Sequence, residues 1–199
     1  MGEGRLNDEQ GRVLLTVARQ TIAAALGIAV GDRAAPERRS SSGNTPWLEA
    51  QGAAFVTLHT RSGALRGCIG SLVARRPLIE DVRGNALAAA FEDPRFPALK
   101  AAELPDIVVE VSVLTAPEPL PYNDAEDLVR KLTPHVDGVT IERGWHRATF
   151  LPQVWDQLPI PEEFLGHLCY KAGLFATAWR SGDLKVSTYR VQEFEETGH

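Results

Sequence analysis

The order of local patterns predicts an α+β (mixed α/β) fold, a mainly antiparallel sheet flanked by helices. Three observations carry that prediction. Stretches with helical and with alternating periodicity follow one another as helix, hairpin, helix, strand, helix, hairpin, helix, strand. Two of the strand pairs are joined by turns too short for a crossover, which makes them antiparallel. No Gly-x-Gly-x-x-Gly or Walker loop opens any of the helices, as a doubly wound nucleotide-binding sheet would require.

Each element has a local reason. Leu14, Val17, Ala18, Ile22, Ala25 and Leu26 share one stripe at helical spacing, so a helix is expected over 7–27. Asn7 with Gln10 three residues on supplies its start, and Gly27 its stop. Residues 31–46, with Arg38, Arg39 and three serines, read as a polar mobile loop. A hairpin follows: a strand over 52–60, a turn over 61–64 and a returning strand over 65–72. Pro77 fits the first turn of a second helix whose Ala86, Ala89 and Ala90 suit close packing on a sheet, and Pro94 ends it. Residues 107–114 alternate Ile107, Val109, Val111 and Val113 against Glu110 and Ser112, the pattern of a central strand. A short helix over 125–132, a hairpin of 136–142 and 147–151, and a helix over 161–174 ended by Gly173 come next. A single closing strand is expected over 184–194, with a tail at 195–199.

The 199 residues carry 21 Lys+Arg and 26 Asp+Glu, a net charge of −5, with 44% hydrophobic and 24% charged residues. Such a chain can bury roughly 70% of its unfolded surface without disulfide staples. An acidic balance with no Lys/Arg block longer than two residues argues against binding nucleic acid through its phosphates. The longest apolar run, 21–30, falls short of the roughly 20 residues that cross a bilayer, so no membrane association is expected. Residues 1–9 are polar and acidic where a signal peptide would turn apolar, and a cytoplasmic location is expected with Cys68 and Cys169 as free thiols.

Candidate chemistry centres on Leu65-Arg66-Gly67-Cys68-Ile69-Gly70. Glycine within a strand marks a bulge or a close approach by a ligand or another backbone, here at Gly67 and Gly70. Cys68 is then a candidate thiolate nucleophile if a cation such as Arg66 turns toward it, or a small core hydrophobe if the glycines only serve the hairpin. His59, brought across by the hairpin, is the candidate base. In Asp93-Pro94-Arg95-Phe96-Pro97, Arg95 can grip a ligand's anionic group or pair with an acidic neighbour at the helix stop. Glu110 either faces solvent or, if covered, needs a partner such as Arg66 or Arg95. His167 and Cys169 are two apart on a helix, the wrong spacing for a shared metal, and neither a metal nor a cofactor is expected.

The same strings carry a resemblance. Leu65 to Gly70, then Ala88-Ala89-Ala90-Phe91-Glu92-Asp93-Pro94-Arg95-Phe96, resemble signature segments of the AMMECR family, also called AmmeMemoRadiSam system protein A. Glu103-Leu104-Pro105 before Glu110 to Leu114, Ala148 to Val154, and Lys171 to Leu174 match in the same order. One departure is Asp137-Gly138, where many members have His-Gly. The resemblance implies one AMMECR-like domain spanning 1–199, with a larger and a smaller subdomain and the 65–70 segment near a cleft between them. It further implies association with a Memo-like protein and a radical SAM protein, and no established reaction. Two functions follow as expectations. Either Cys68 and Arg66, helped by Arg95, handle an anionic small molecule or peptide, or the chain is a non-enzymatic partner that positions a ligand for the other two proteins.

Overall fold

The computed structural model describes residues 5–29 and 45–197. The expected loop at 31–46 therefore lies outside the described residues, except for Thr45 and Pro46. Pro46 opens a one-turn helix, so the loop ends earlier than expected. The chain forms two compact units: residues to 114 together with those from 192 on, and residues 115–191.

In the first unit, helix α1 (Asp8–Ala25) begins with the Asn7–Gln10 capping box. It ends at Gly27, whose φ of +72° lets the Ile28 N–H reach back to the Ala23 carbonyl. After α2 (Pro46–Glu49) come strands β1 (Gln51–Thr60), β2 (Leu65–Gly70) and β3 (Arg76–Pro77), helix α3 (Leu78–Phe91) and strand β4 (Ile107–Leu114). A 3-10 turn at Ala101–Asp106 leads into β4. With β9 (Val191–Glu195) the sheet order is β2-β1-β4-β9, so β2 forms an edge. Cross-strand partners share a face. Val56, Leu58, Val109 and Val111 are fully buried on one face, in one cluster with Leu14, Ala18 and Ile22 of α1 and Val82, Ala86 and Ala89 of α3. Each such Leu, Ile or Val contributes roughly 1.5–3 kcal/mol by leaving water. Polar and half-buried residues occupy the opposite face.

Gly67 is where α3 and the edge strand meet most closely: a Cβ there would lie 2.1 Å from the Ala89 carbonyl oxygen. Gly70 makes room for the Phe55 ring, directly opposite on β1. Both glycines thus serve close approach, Gly67 to a helix backbone and Gly70 to an aromatic ring.

The second unit holds β5 (Glu118–Pro119), α4 (Ala125–Lys131), β6 (Gly138–Arg143), β7 (His146–Phe150), α5 (Pro161–Lys171) and β8 (Lys185–Tyr189), with sheet order β5-β8-β6-β7. Its core centres on Trp155 stacked on Phe164 at 3.7 Å between centroids, and the Trp155 indole N–H donates to the Asp137 carbonyl at 2.8 Å. Gly166, inside α5, has no contact tighter than 3.4 Å awaiting a Cβ. Gly166→Ala is therefore expected to stabilise by about 0.5–1 kcal/mol, since Ala loses less conformational freedom in a helix. A urea midpoint shifted upward with an unchanged slope would register it; a downward shift would contradict it.

Two expectations need correction. The single closing strand over 184–194 is two strands, β8 in the smaller sheet and β9 in the larger, with Arg190 between them. Arg190 exchanges hydrogen bonds with Thr115, where the chain also leaves β4. Alternation is a local property and runs unbroken through such a crossing. The tail also starts later than residue 195: Glu195 ends β9, and the Glu196 carboxylate binds the Arg19 guanidinium and accepts from the Val109 N–H at 2.9 Å.

Candidate functional site

The polar face of the larger sheet is built by alternation along three strands. Register pairs Thr57 with both Cys68 and Glu110, and Phe55 with both Gly70 and Ser112. One face therefore carries Thr57, Cys68, Glu110 and Ser112, with His59 two residues along β1. The Thr57 hydroxyl donates to the Cys68 sulfur at 3.3 Å. Ser112 donates to Glu110 at 3.0 Å, and His59 Nε2 lies 3.6 Å from the other Glu110 oxygen. Glu110, expected either to face solvent or to pair with a residue such as Arg66 or Arg95, is half-buried and partnered instead by His59 and Ser112. Burial, and then the Glu110 charge, push the Glu193 carboxyl of β9 above its usual range, so this face has acidic character.

Cys68 is half-buried and its backbone is fixed from outside the sheet. As an edge residue it points its N–H and C=O away from β1, where they would otherwise be open to solvent or to a foreign strand. The Asp93 carboxylate accepts the Cys68 N–H at 2.9 Å, and Arg95 Nη2 donates to the Cys68 carbonyl at 3.3 Å. Arg95 also forks onto Asp93, at 2.9 and 2.7 Å. That pairing is the main cause holding the Asp93 carboxyl well below the usual carboxylate range, against the opposing effect of its burial. The Asp93-Pro94-Arg95 turn thus does for one residue of β2 what a neighbouring strand would do.

Arg66 follows similar logic. It sits at the bulge where pairing with β1 slips between Leu58 and His59. Its Nε donates to Glu103 at 3.0 Å and holds that carboxyl below its usual range. Its guanidinium and that of Arg95 both lie over the Phe96 ring, at 5.9 and 5.5 Å. Arg66 Nη1 is buried and has no hydrogen-bond acceptor among the described residues.

The structure therefore places Cys68, Gly67, Gly70, His59, Glu110, Arg66 and Arg95 in one unit. Cys68, His59 and Glu110 share the polar sheet face, while Arg66 and Arg95 hold its β2 edge. The group on the Cys68 sulfur is Thr57, and no hydrogen bond joins His59 to it among the described residues. Thr57, Ser112, Asp93 and Glu103 escape sequence reading. The first two follow once the β1–β2–β4 register is known; the β1–β4 register is continuous, but the β1–β2 register turns on a bulge at Arg66, which Gly67 next to it only hints at. Cys169, by contrast, is fully buried in the second unit, and burial pushes its thiol pKa up.

A family model described as AMMECR1 matches residues 15–194, from within α1 to β9. The chain belongs to the AMMECR1 family. A protein of Thermofilum pendens is 40% identical over 208 residues, covering 98% of this chain and 93% of its own. A protein of Methanothermobacter thermautotrophicus is 39% identical over 198 residues, with 97% of each covered. Among solved structures, an uncharacterized protein from Pyrococcus horikoshii matches with a TM-score of 0.72 at 37% identity, covering 96% of this chain and 93% of that one. Its likeness supports the mixed α+β architecture with antiparallel sheets. No helix among the described residues is long and apolar enough to cross a membrane.

Proposed function

We propose that this AMMECR1-family protein handles a small molecule or peptide bearing an anionic group at Cys68, acting in the cytoplasm beside a Memo-like protein and a radical SAM protein. One observation carries the reading. The Cys68 sulfur lies on a polar sheet face with a hydroxyl donor aimed at it, while its backbone N–H and carbonyl are held by Asp93 and Arg95. A packing cysteine needs neither. The anionic part of the reading rests on Arg66, whose Nη1 is a buried donor lacking an acceptor among the described residues, a condition that costs about 1–3 kcal/mol until an oxygen satisfies it. The partners follow from the family resemblance alone.

Charge on the reagent tests the anionic part. Iodoacetate and iodoacetamide attack the same thiolate but differ by one negative charge. The ratio of their rates at Cys68 is expected to be severalfold higher in the folded protein than in urea, and to fall in Arg66→Met. A folded-state ratio below the unfolded one would mean that Glu110 and Glu193 dominate, and the anionic reading would fail.

A second reading, a non-enzymatic partner, is favoured by the absence of any hydrogen bond from a histidine to the Cys68 sulfur among the described residues. The two separate on Cys68→Ser in the reconstituted three-protein system: lost turnover supports chemistry at the thiol, unchanged turnover supports a positioning role.

A further inference from the structure

The second unit carries a pocket that the Cys68 reading does not use. The β6–β7 hairpin turns through Gly144 and Trp145, and Arg143 pairs directly with His146 across it. Cross-strand partners share a face, so guanidinium and imidazole converge on one side of the hairpin end. There they line an open cavity of about 570 Å³ with Tyr170, Leu174 and Phe175. That volume is in the range of small-molecule sites.

Its polar groups are oriented. His146 Nδ1 lies 2.8 Å from the Ala172 carbonyl, which can only accept, so Nδ1 carries the hydrogen. In the neutral ring the lone pair is then on Nε2, which asks for an N–H or O–H. Gly173, at φ +76°, makes this possible: a Cβ there would sit 3.3 Å from the same Nδ1. Arg143 uses Nη1 for Asp183, at 3.2 and 3.3 Å, and its other nitrogens make no hydrogen bond among the described residues. The walls are aromatic and wet: Tyr170 is 77% and Phe175 86% exposed, and the adjacent hairpin residue Trp145 is 97% exposed. These are the three most exposed large apolar side chains among the described residues, and such clustering marks a binding surface.

We infer that this pocket binds a small aromatic carboxylate bearing an N–H or O–H next to the acid group. The carboxylate takes the open nitrogens of Arg143, the neighbouring donor meets His146 Nε2, and the ring covers Tyr170 and Phe175. The cross-strand closeness of Arg143 and His146 is what demands that acid and donor be adjacent in the ligand. The inference is independent of Cys68.

Indole-2-carboxylate is a suitable probe, with 1-methylindole-2-carboxylate lacking the donor and indole lacking the acid. Titration followed by NMR of the full chain is expected to show saturable shifts at residues 143–147 and 170–176 with the first probe, and binding at least about fivefold weaker with either analogue. Arg143→Met should remove the advantage of the acid, and His146→Phe that of the N–H, each judged within its own probe series so that a general loss of folding is not mistaken for an effect. No saturable shifts at these residues up to the solubility of indole-2-carboxylate, or equal affinity for all three probes, would overturn the inference.

Discussion

Gly67→Ala is expected to destabilise the protein by about 3 kcal/mol, the upper end for one added methyl in a packed site. The added Cβ would lie 2.1 Å from the Ala89 carbonyl oxygen, where no atom can sit. A flexible side chain could swing away, but this obstacle is helix backbone, fixed by the hydrogen-bond ladder of α3. Strand and helix must therefore part, and Ala86, Ala89 and Val82 lose contact with β1 and β2. The same movement carries Cys68 away from Asp93, because the clamp reaches only one residue along the strand. Urea unfolding should show the lower midpoint, and amide exchange at Cys68 should quicken more than at Leu58 on β1. A variant within a few tenths of a kcal/mol of the parent would mean that the edge strand is loosely held and that Gly67 does not set its approach to α3.

Asp81→Ala is expected to cost about 3–5 kcal/mol, the range for removing one member of a buried charged network. Asp81 is 2% exposed and accepts from four donors: the Ala54 N–H at 2.9 Å, Ser71 at 2.7 Å, Arg76 at 2.8 Å and Asn85 at 3.0 Å. Arg76 and Ser71 retain some access to water. The Ala54 N–H is enclosed and loses its acceptor, at a cost of about 1–3 kcal/mol, whereas the Asn85 amide keeps the Ala54 carbonyl and the Ser71 hydroxyl. The network joins β1, the end of β2 and α3, so its loss should also lower the cooperativity of the larger unit. Asp81→Asn keeps the shape and one acceptor and should cost less. If alanine lowers stability by under about 1 kcal/mol, water reaches these donors and the network is not a buried one.

How far the sequence reveals this structure depends on the range of the interaction involved. Asn7, Gln10 and Gly27 announce α1 because capping is settled within four residues. Ile107 to Leu114 announces β4 because alternation is. The split at Arg190 is invisible, since β8 and β9 keep their alternation while changing sheets. The candidate site divides in the same way. Gly67 and Gly70 signal close approach from their position alone, whereas what approaches them, the Ala89 carbonyl and the Phe55 ring, is a matter of tertiary contact. Arg66 reads from sequence as a cation for Cys68 or for a ligand, and Arg95 either as a clamp for a ligand or as the partner of an acidic neighbour at the helix stop. In the fold Arg95 is committed to Asp93 and the Cys68 carbonyl, and Arg66 to Glu103, through partners 37 residues away in the latter case. The pairing of Thr57 with Cys68 depends on a bulge in the middle of a hairpin, which periodicity does not place.

The most direct measurement is alkylation of the folded protein by iodoacetamide at neutral pH, with Cys68 and Cys169 followed separately by mass spectrometry. The geometry predicts that Cys68 reacts in the native state and slows in Thr57→Val, which removes the hydroxyl from its sulfur. Cys169, enclosed and with its thiol pKa raised by burial, should react only once urea opens the second unit. A Cys68 that waits for unfolding as Cys169 does, or that reacts at the same rate without the Thr57 hydroxyl, would make it a packing residue and contradict a site built around its thiol.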